Sequence, residues 1–164
     1  MSLHDAATKS NAGLAFENVP AELKNRRQWI VWRYETRDGG PTKVPYNAHT
    51  ARPASSTDLE TWVYFGDAVQ ALENGGWEGI GFVFSSGDPY AGIDLDDVRD
   101  PETGEIEERA QKVIDLFPRA YAEASPSGTG VHIIIRGKVP KVVKLDWIEA
   151  YSQERYFTVT GVAL

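Results

Sequence analysis

The chain has 164 residues, of which 41% are hydrophobic and 25% charged, and it contains no cysteine. This composition is that of one globular domain, and it excludes collagen-like and coiled-coil chains, disulfide scaffolds, cysteine-ligated zinc sites and thiol catalysis. The formal net charge of −7 argues against tight, nonspecific binding of duplex nucleic acid but leaves room for a local basic groove.

The N-terminal residues 1–17 are small and polar and show no hydrophobic periodicity. We therefore expect a disordered N-terminal segment, followed by one domain over residues 18–164. No apolar run approaches the ~18 residues that cross a membrane, and the N-terminus lacks a basic segment followed by an apolar one. We expect a cytoplasmic protein with no membrane partner.

The first half of the domain predicts a short helix, a hairpin and a longer helix. A helix start is predicted at 21–24, and aromatic and β-branched residues predict strands over 28–34 and 42–46. After a Pro/Ser/Ala-rich loop, the longer helix is predicted to open at Asp58 and to stop at Gly76. Its apolar positions are Leu59, Trp62, Val63, Ala68, Val69 and Leu72.

The second half predicts strands around a single helix over residues 105–116. Apolar and β-branched runs predict the strands, which cover 79–84, 90–96, 120–123, 131–135, 147–151 and 156–159. Short strands joined by turns favour an α+β fold with a mainly antiparallel, hairpin-linked sheet.

The first chemical motif is the pair Asp94 and Asp96. On a strand, residues i and i+2 point to the same face, so these two carboxylates project side by side. Hard divalent cations such as Mg²⁺ bind paired carboxylates of this kind beside substrate phosphates. The alternative is a solvated strand end with turn-forming aspartates. The apolar lead-in Ala91–Ile93 favours a buried strand with acids at its carboxyl end.

The second motif is the loop Ser125–Gly130 followed by His132. Its glycines and hydroxyls can present hydrogen-bond donors to a phosphate, and the next strand lifts His132 beside the loop. The alternative is a hairpin turn followed by a core histidine. No Gly-Lys-Ser/Thr comes after it, so the loop is not a Walker A motif, and it is not a Rossmann fingerprint.

The third motif combines Glu149 with Arg155. Glu149 is an acid within an otherwise apolar strand, and a buried acid needs a partner or a metal. Arg155 carries a guanidinium suited to bidentate contact with phosphate. The alternatives are a surface glutamate beside Trp147 and an ordinary surface arginine.

The order of the motifs is specific: D-x-D, then S-x-S-G-x-G-x-H, then E-x-Y-x-x-x-R-Y-F-T-V-T-G. This order resembles the archaeo-eukaryotic primase superfamily, in particular the primase-polymerase domains of phage and mobile-element replication proteins. The resemblance runs from about Pro20 to Gly161 and includes Trp29, the segment 42–46, Thr61-Trp62 and the segment 79–84.

The resemblance implies a catalytic core built on an RRM-like, mainly antiparallel sheet with flanking helices. In this family the acids of the first and third motifs bind two divalent ions, Mg²⁺ or Mn²⁺, and here these acids are Asp94, Asp96 and Glu149. With His132 they form the implied catalytic set. The nucleotide-binding residues that the resemblance implies are Lys43, Ser125, Ser127, Gly128, His132 and Arg155.

The implied reaction is that of a DNA primase or DNA polymerase in replication. A 3′-hydroxyl attacks the α-phosphorus of a nucleoside triphosphate, and pyrophosphate leaves. The implied partners are a DNA template and primer, nucleoside triphosphates, and a helicase module in the same full-length protein. Because the family proteins continue beyond the third motif, we expect a domain truncated from a longer protein.

Two other interpretations stay open at this point. One is a glycosyltransferase that holds a nucleotide-sugar through Mn²⁺ on the D-x-D, although such an enzyme needs a parallel sheet ahead of that motif. The other is a noncatalytic RRM-like module that binds nucleic acid or nucleotide, which would need exposed aromatics and a basic surface on its sheet.

These motifs make three structural predictions. Asp94, Asp96 and Glu149 converge on one face, and their mutual repulsion raises the pKa of some of them. His132 lines the same pocket as these acids, together with the loop Ser125–Gly130. Replacing His132 by Ala leaves the fold intact, because a polar pocket residue contributes little packing.

Overall fold

The structure, a computed structural model, describes residues 13–164. The fold is α+β and antiparallel, as predicted, but it has two sheets where the sequence predicted one. Its strands are β1 (Trp29–Arg37), β2 (Gly40–Tyr46), β3 (Gly79–Phe84), β4 (Tyr90–Leu95), β5 (Tyr121–Ala124), β6 (Val131–Arg136), β7 (Val143–Lys144), β8 (Ile148–Tyr151) and β9 (Arg155–Val159). Its α-helices are α1 (Ala21–Lys24), α2 (Phe65–Asn74) and α3 (Glu108–Asp115), and 3₁₀ turns cover Phe16–Asn18 and Leu59–Thr61.

The four-stranded sheet has the strand order β2-β1-β3-β9 and carries the larger core on one face. Trp29, Phe82 and Phe157 are fully buried there. Helix α2 covers part of this face through Ala68 and Leu72. The edge strand β9 brings this sheet against the second one, because Phe157 also contacts residues of the second sheet.

The five-stranded sheet has the order β5-β6-β4-β8-β7, and every neighbouring pair is antiparallel. Because side chains alternate between the faces of a strand, each strand serves both sides of this sheet. The reverse face is apolar and packs with Ala110 of α3; its buried members include Ile93, Leu95, Val131 and Ile133. The front face meets β9. Part of it adds Tyr90, Ile134 and Tyr151 to the larger core, and the rest carries polar and charged residues.

The helix predicted to open at Asp58 is wrong over its first part. A 3₁₀ turn covers Leu59–Thr61, and the α-helix begins only at Phe65. Val63 is instead extended, because its N–H and C=O both bond to Trp29, at 2.8 and 3.0 Å. Trp62 donates its indole N–H to the Ser55 carbonyl at 2.6 Å. These long-range bonds outweigh the local helical pattern.

Other parts of the prediction also differ from the structure. The helix predicted from residue 105 begins at Glu108, because Glu107 is extended and donates its N–H to Val98 at 2.9 Å. Strand β7 was not predicted from the sequence. None of the helices within residues 13–164 is long and apolar enough to span a bilayer.

Most of the segment predicted to be disordered, 1–17, lies outside the described residues. Its last part is in contact with the domain: the Ala15 N–H donates to Thr160 at 2.9 Å. Gly161 permits this approach, because its φ of 73° is left-handed and a side chain there would collide with the Ala15 carbonyl. Contact with the domain therefore already exists at Ala15, before the predicted boundary at residue 18.

Candidate active site

A single row of side chains crosses the front face of the five-stranded sheet. Asp94 on β4 lies directly opposite both His132 on β6 and Glu149 on β8. The row extends to Glu123 on β5 and to Lys144 on β7. Directly opposed residues of antiparallel strands share a face, so all five side chains leave the sheet on the same side. The structure therefore places Glu149 on the same face as Asp94, as the motifs predicted.

Asp96 follows β4 and adds a carboxylate near that of Asp94. Its N–H donates to the Trp147 carbonyl at 2.9 Å, which continues the pairing of β4 with the chain before β8. Burial raises the pKa of Asp94, and the carboxylates of Asp96 and Glu149 raise it further. His132 and Lys43 oppose that shift of the Asp94 pKa. Repulsion among the acids therefore exists as predicted, but burial is the larger cause.

The imidazole of His132 is held from two sides. Its Nδ1 lies 2.9 Å from the Thr158 carbonyl oxygen, and its ring stacks on Phe157 with centroids 4.5 Å apart. Because a carbonyl only accepts, Nδ1 carries the hydrogen, and Nε2 is left to face Asp94 Oδ1 at 3.5 Å. The prediction that His132 contributes little packing is wrong, since the ring is buried and stacked.

Glu123 belongs to the site and was missed by the sequence reasoning. Its carboxylate accepts the N–H groups of Thr160 at 3.0 Å and Gly161 at 2.9 Å, and the hydroxyl of Tyr121 at 2.7 Å. Oε1 lies 3.6 Å from Nδ1 of His132. One signal could have revealed it: like Glu149, Glu123 is a lone acid in a predicted apolar strand.

Tyr121 donates to Glu123 from the same strand. Burial, and then the Glu123 carboxylate, raise the pKa of the Tyr121 phenol well above its usual range. The phenol therefore keeps its proton at physiological pH and acts as a permanent donor to Glu123. With the two backbone N–H groups, it satisfies a carboxylate that would otherwise be costly to bury.

Lys43 reaches the acids from the other sheet. A cavity of about 210 Å³ is lined by Lys43, Asp94 and His132, with Tyr151 and Thr158 completing the wall. Burial lowers the pKa of the Lys43 ammonium, while the charges of Asp94 and Asp96 oppose that shift. The hairpin of the four-stranded sheet thus delivers a cation to the face that holds the carboxylates.

The loop Ser125–Gly130 does not line this cavity. Ser125, Ser127 and Gly128 line a separate cavity of about 470 Å³, together with Trp32 and Arg99. The hydroxyls of the loop are joined to one another, Ser125 to Ser127 at 3.1 Å and Ser127 to Thr129 at 2.8 Å. The guanidinium of Arg99 donates to the Gly128 carbonyl at 2.8 Å.

Arg155 lies at the start of β9 and is exposed. Its guanidinium is 5.8 Å from the centre of the Tyr151 ring and donates to the Glu154 carbonyl at 3.0 Å. The structure thus brings together Asp94, Asp96, Glu149, His132 and Lys43. Arg155 lies near that group, beyond Tyr151, and the serine loop lines the neighbouring cavity.

The donor chemistry of the three acids fits a hard divalent cation, because such ions prefer carboxylate oxygens. Asp94 and Glu149 share a face, and both Glu149 and Asp96 add to the rise in the Asp94 pKa that burial mainly causes, so a bound cation would relieve that repulsion. As the side chains stand, no group of three or more His, Asp or Glu residues within 13–164 is gathered tightly enough to hold a metal ion.

Comparison with known proteins adds one relative. The chain is 37% identical over 152 residues to the DNA primase-polymerase of Nitratiruptor phage NrS-1, and the match covers 87% of this chain. The chain spans 20% of the length of that phage protein. No protein-family model matches the chain. The similarity confirms the resemblance to primase-polymerases that the three motifs predicted.

Proposed function

We propose that this chain carries the nucleotidyl-transfer centre of a DNA primase or DNA polymerase, which adds nucleotides from nucleoside triphosphates under the direction of a template. The observation that carries the proposal is the cross-strand row in which Asp94 lies between His132 and Glu149 on one face. The similarity to a protein named DNA primase-polymerase supports it independently.

We propose further that the five-stranded sheet is an RRM-like core. In chain order, β4, α3, β5 and β6 form a strand–helix–strand–strand unit, and β8 adds a fourth strand beside β4. This matches the start of the β-α-β-β-α-β pattern, with the short strand β7 where that pattern has its second helix. The front face carries acids and a histidine, which favours catalysis over base stacking at this position.

In the proposed reaction a 3′-hydroxyl attacks the α-phosphorus, the bond to the β-phosphate oxygen breaks, and pyrophosphate leaves. Asp94, Asp96 and Glu149 would hold Mg²⁺ or Mn²⁺. When bound, such an ion neutralises charge on the triphosphate and helps to ionise the attacking hydroxyl. The carboxylates keep this face negative when nothing is bound, which is why a cation is needed before a triphosphate can approach.

We propose that two residues of the chain contact the triphosphate itself. Lys43 presents an ammonium to the cavity that Asp94 and His132 line. His132 uses Nδ1–H on Thr158, so its Nε2 is the atom that meets a ligand. When protonated, Nε2 donates a hydrogen bond to a phosphate oxygen, and the bond to Thr158 fixes the direction of that donation.

The serine loop and Arg155 are assigned to the same nucleotide at its edges. Ser125, Ser127 and Gly128 form a polar wall of the cavity that Val159 and Thr160 also line, and Thr158, one residue before these two, lines the cavity of Asp94. Arg155 is exposed beside Tyr151, which also lines the cavity of Asp94.

Primer extension with Mg²⁺ or Mn²⁺ tests the proposal. The double variant Asp94→Asn, Asp96→Asn keeps the shape of both side chains but removes their charge, and we expect incorporation to fall by at least about 10³-fold. Asp97→Asn is the matched control, because Asp97 is exposed and its φ of 50° is one that Asn tolerates. Equal extension by wild type and the double variant would place the active site elsewhere, and DNA binding without any extension would favour a noncatalytic module.

A further inference from the structure

The row across the front face is open at one end only. The side chain of Glu123 is 1% exposed, that of His132 is 7% exposed and that of Asp94 is 26% exposed. Glu149 is half-buried, and Lys144, at the end of the row, is exposed. The row is therefore closed at β5 and open to solvent at β7.

The closed end is covered by backbone. Thr158 contributes its carbonyl to His132, and the N–H groups of Thr160 and Gly161 bond to Glu123. A single nucleotide stays within the cavity at Asp94 and the groups proposed to contact its edges. A polymer strand is longer and must leave the site in some direction, and the chain over residues 158–161 blocks the β5 side.

The open end carries free positive charge. Residues 136–145 contain four basic side chains and no acid, in a chain whose net charge is −7. Two of the four are engaged, Arg136 with Glu22 and Lys138 with Asp88. The other two, Lys141 and Lys144, are exposed and make no ion pair within residues 13–164.

We propose that the DNA strand whose end reacts at Asp94 leaves the site across β8 and β7, with a backbone phosphate on Lys144. This inference rests on the proposed function. Lys144 is opposite Glu149, which is opposite Asp94, so two strand spacings of ~4.8 Å separate β7 from β4. Phosphates of one DNA strand recur every ~3.4 Å along the duplex axis, so Lys144 meets a phosphate about three nucleotides from the reacting end.

Charge complementarity favours DNA over a second copy of the chain as the partner of β7. β7 is an edge strand, and an exposed edge can pair with another strand. However, β7 has only two residues, and a lysine on an edge strand is a device that hinders such pairing. The same lysine is the side chain that a polyanion requires, so DNA is the better match.

Fluorescence anisotropy of a labelled primer–template in EDTA tests the inference without relying on catalysis. Lys144→Gln should weaken binding by roughly three- to ten-fold and make the plot of log K against log salt shallower by about 0.7–0.9. Lys112→Gln is the matched control. It removes the same charge from exposed Lys112 on α3, which packs on the reverse face, and should change neither quantity.

The outcomes separate the two proposals. A Lys144→Gln variant that binds DNA as wild type does, or a wild-type chain that binds no DNA, overturns the inference. Self-association of wild type in sedimentation that Lys144→Gln alters also overturns it, since the edge would then serve a second copy. Lys144-dependent binding without any primer extension keeps the inference and refutes the proposed catalysis. In an active enzyme, Lys144→Gln should raise KM for primer–template and leave KM for the nucleotide unchanged.

Discussion

The two faces of the five-stranded sheet are built from the same strands, but the reverse face is apolar and the front face carries the row of charged side chains. On β4, Leu95 is fully buried against the apolar residues of the reverse face, while its neighbour Asp94 lies on the front face among charged groups. On β6, Ile133 and His132 divide in the same way. On each of these strands, a residue that stabilises the fold is adjacent in sequence to a residue of the candidate site.

The front face is tolerated because the other sheet supplies hydrogen-bond partners. Strand β9 and the residues after it give a carbonyl to His132 and two N–H groups to Glu123. Asp94 accepts no such bond from residues 13–164, and burial raises its pKa. The reverse face thus contributes stability by burial, and the front face holds polar groups whose cost is only partly offset.

The largest stability effect should come from the reverse face. Leu95→Ala removes a fully buried side chain, and we expect the free energy of unfolding to fall by about 3 kcal/mol, as for other large-to-small core changes. Urea denaturation measures it. Leu116→Ala is the control, because that leucine is exposed and its loss should change little. A Leu95→Ala chain as stable as wild type would show that the reverse face is not a core.

The next effect concerns the closest approach of the two sheets. A Cβ on Gly92 would lie 2.5 Å from the ring of Phe157 and 2.8 Å from that of Phe84. Gly92→Ala should therefore destabilise the fold by about 2 kcal/mol through overpacking. Gly40→Ala provides the comparison, since its Cβ meets nothing within 4 Å. Equal thermal stability of the two variants would mean that the sheets do not meet at Gly92.

A smaller loss of stability is expected at Glu123, whose carboxylate on the front face is hydrogen-bonded. Glu123→Gln replaces one accepting oxygen by an NH₂ group, which then faces one of the three donors that bond to Glu123. We expect about 1.5 kcal/mol of destabilisation in chemical denaturation. Exposed Glu102 gives the control through Glu102→Gln. If both variants unfold alike, Glu123 is not held as described.

The smallest expected effect is a gain in stability rather than a loss. Because the folded-state pKa of Asp94 is raised above its ordinary 3.8, stability is lost as the pH rises from 3.8 to the folded-state pKa, and the loss is complete above it. With metal chelated, Asp94→Asn should stabilise the chain by about 1 kcal/mol at neutral pH, and this advantage should disappear as the pH falls from the folded-state pKa to 3.8.

Asp100 offers the matched control for that sign. The N–H groups of Thr103 and Glu102 lower the pKa of Asp100, so its ionised form is favoured in the folded state. Asp100→Asn should therefore lower the melting temperature at neutral pH, where Asp94→Asn raises it. A melting temperature that falls with both substitutions would contradict the assignment of Asp94 as a strained front-face acid.

Much of the site could be predicted from the sequence, because it depends on local alternation. The period of two places Asp94 and Asp96 on one face, and the apolar runs around His132 and Glu149 predict their strands. The predicted strands agree with β4, β6 and β8 to within one residue or so. The alternation within a single strand was therefore enough to predict which of its side chains share a face.

The remainder depends on pairing between distant segments. No local pattern states that β5 adds Glu123 to the row, or that the hairpin of β1 and β2 carries Lys43 to the acids. The helix predicted from Asp58 failed for the same reason, since the bonds of Val63 to Trp29 are made across the fold. Tertiary packing determines the register between strands that are distant in sequence, and local patterns in a single sequence do not predict it.

We propose that Asp94, Asp96 and Glu149 act as one cation site on the front face. Electron paramagnetic resonance of Mn²⁺ measures it directly, without DNA or nucleotide. Each of Asp94→Asn, Asp96→Asn and Glu149→Gln should weaken Mn²⁺ binding by at least about ten-fold, while Asp97→Asn should not. Wild-type affinity in the Glu149→Gln variant would contradict the account, because the third acid would then have no part in the site.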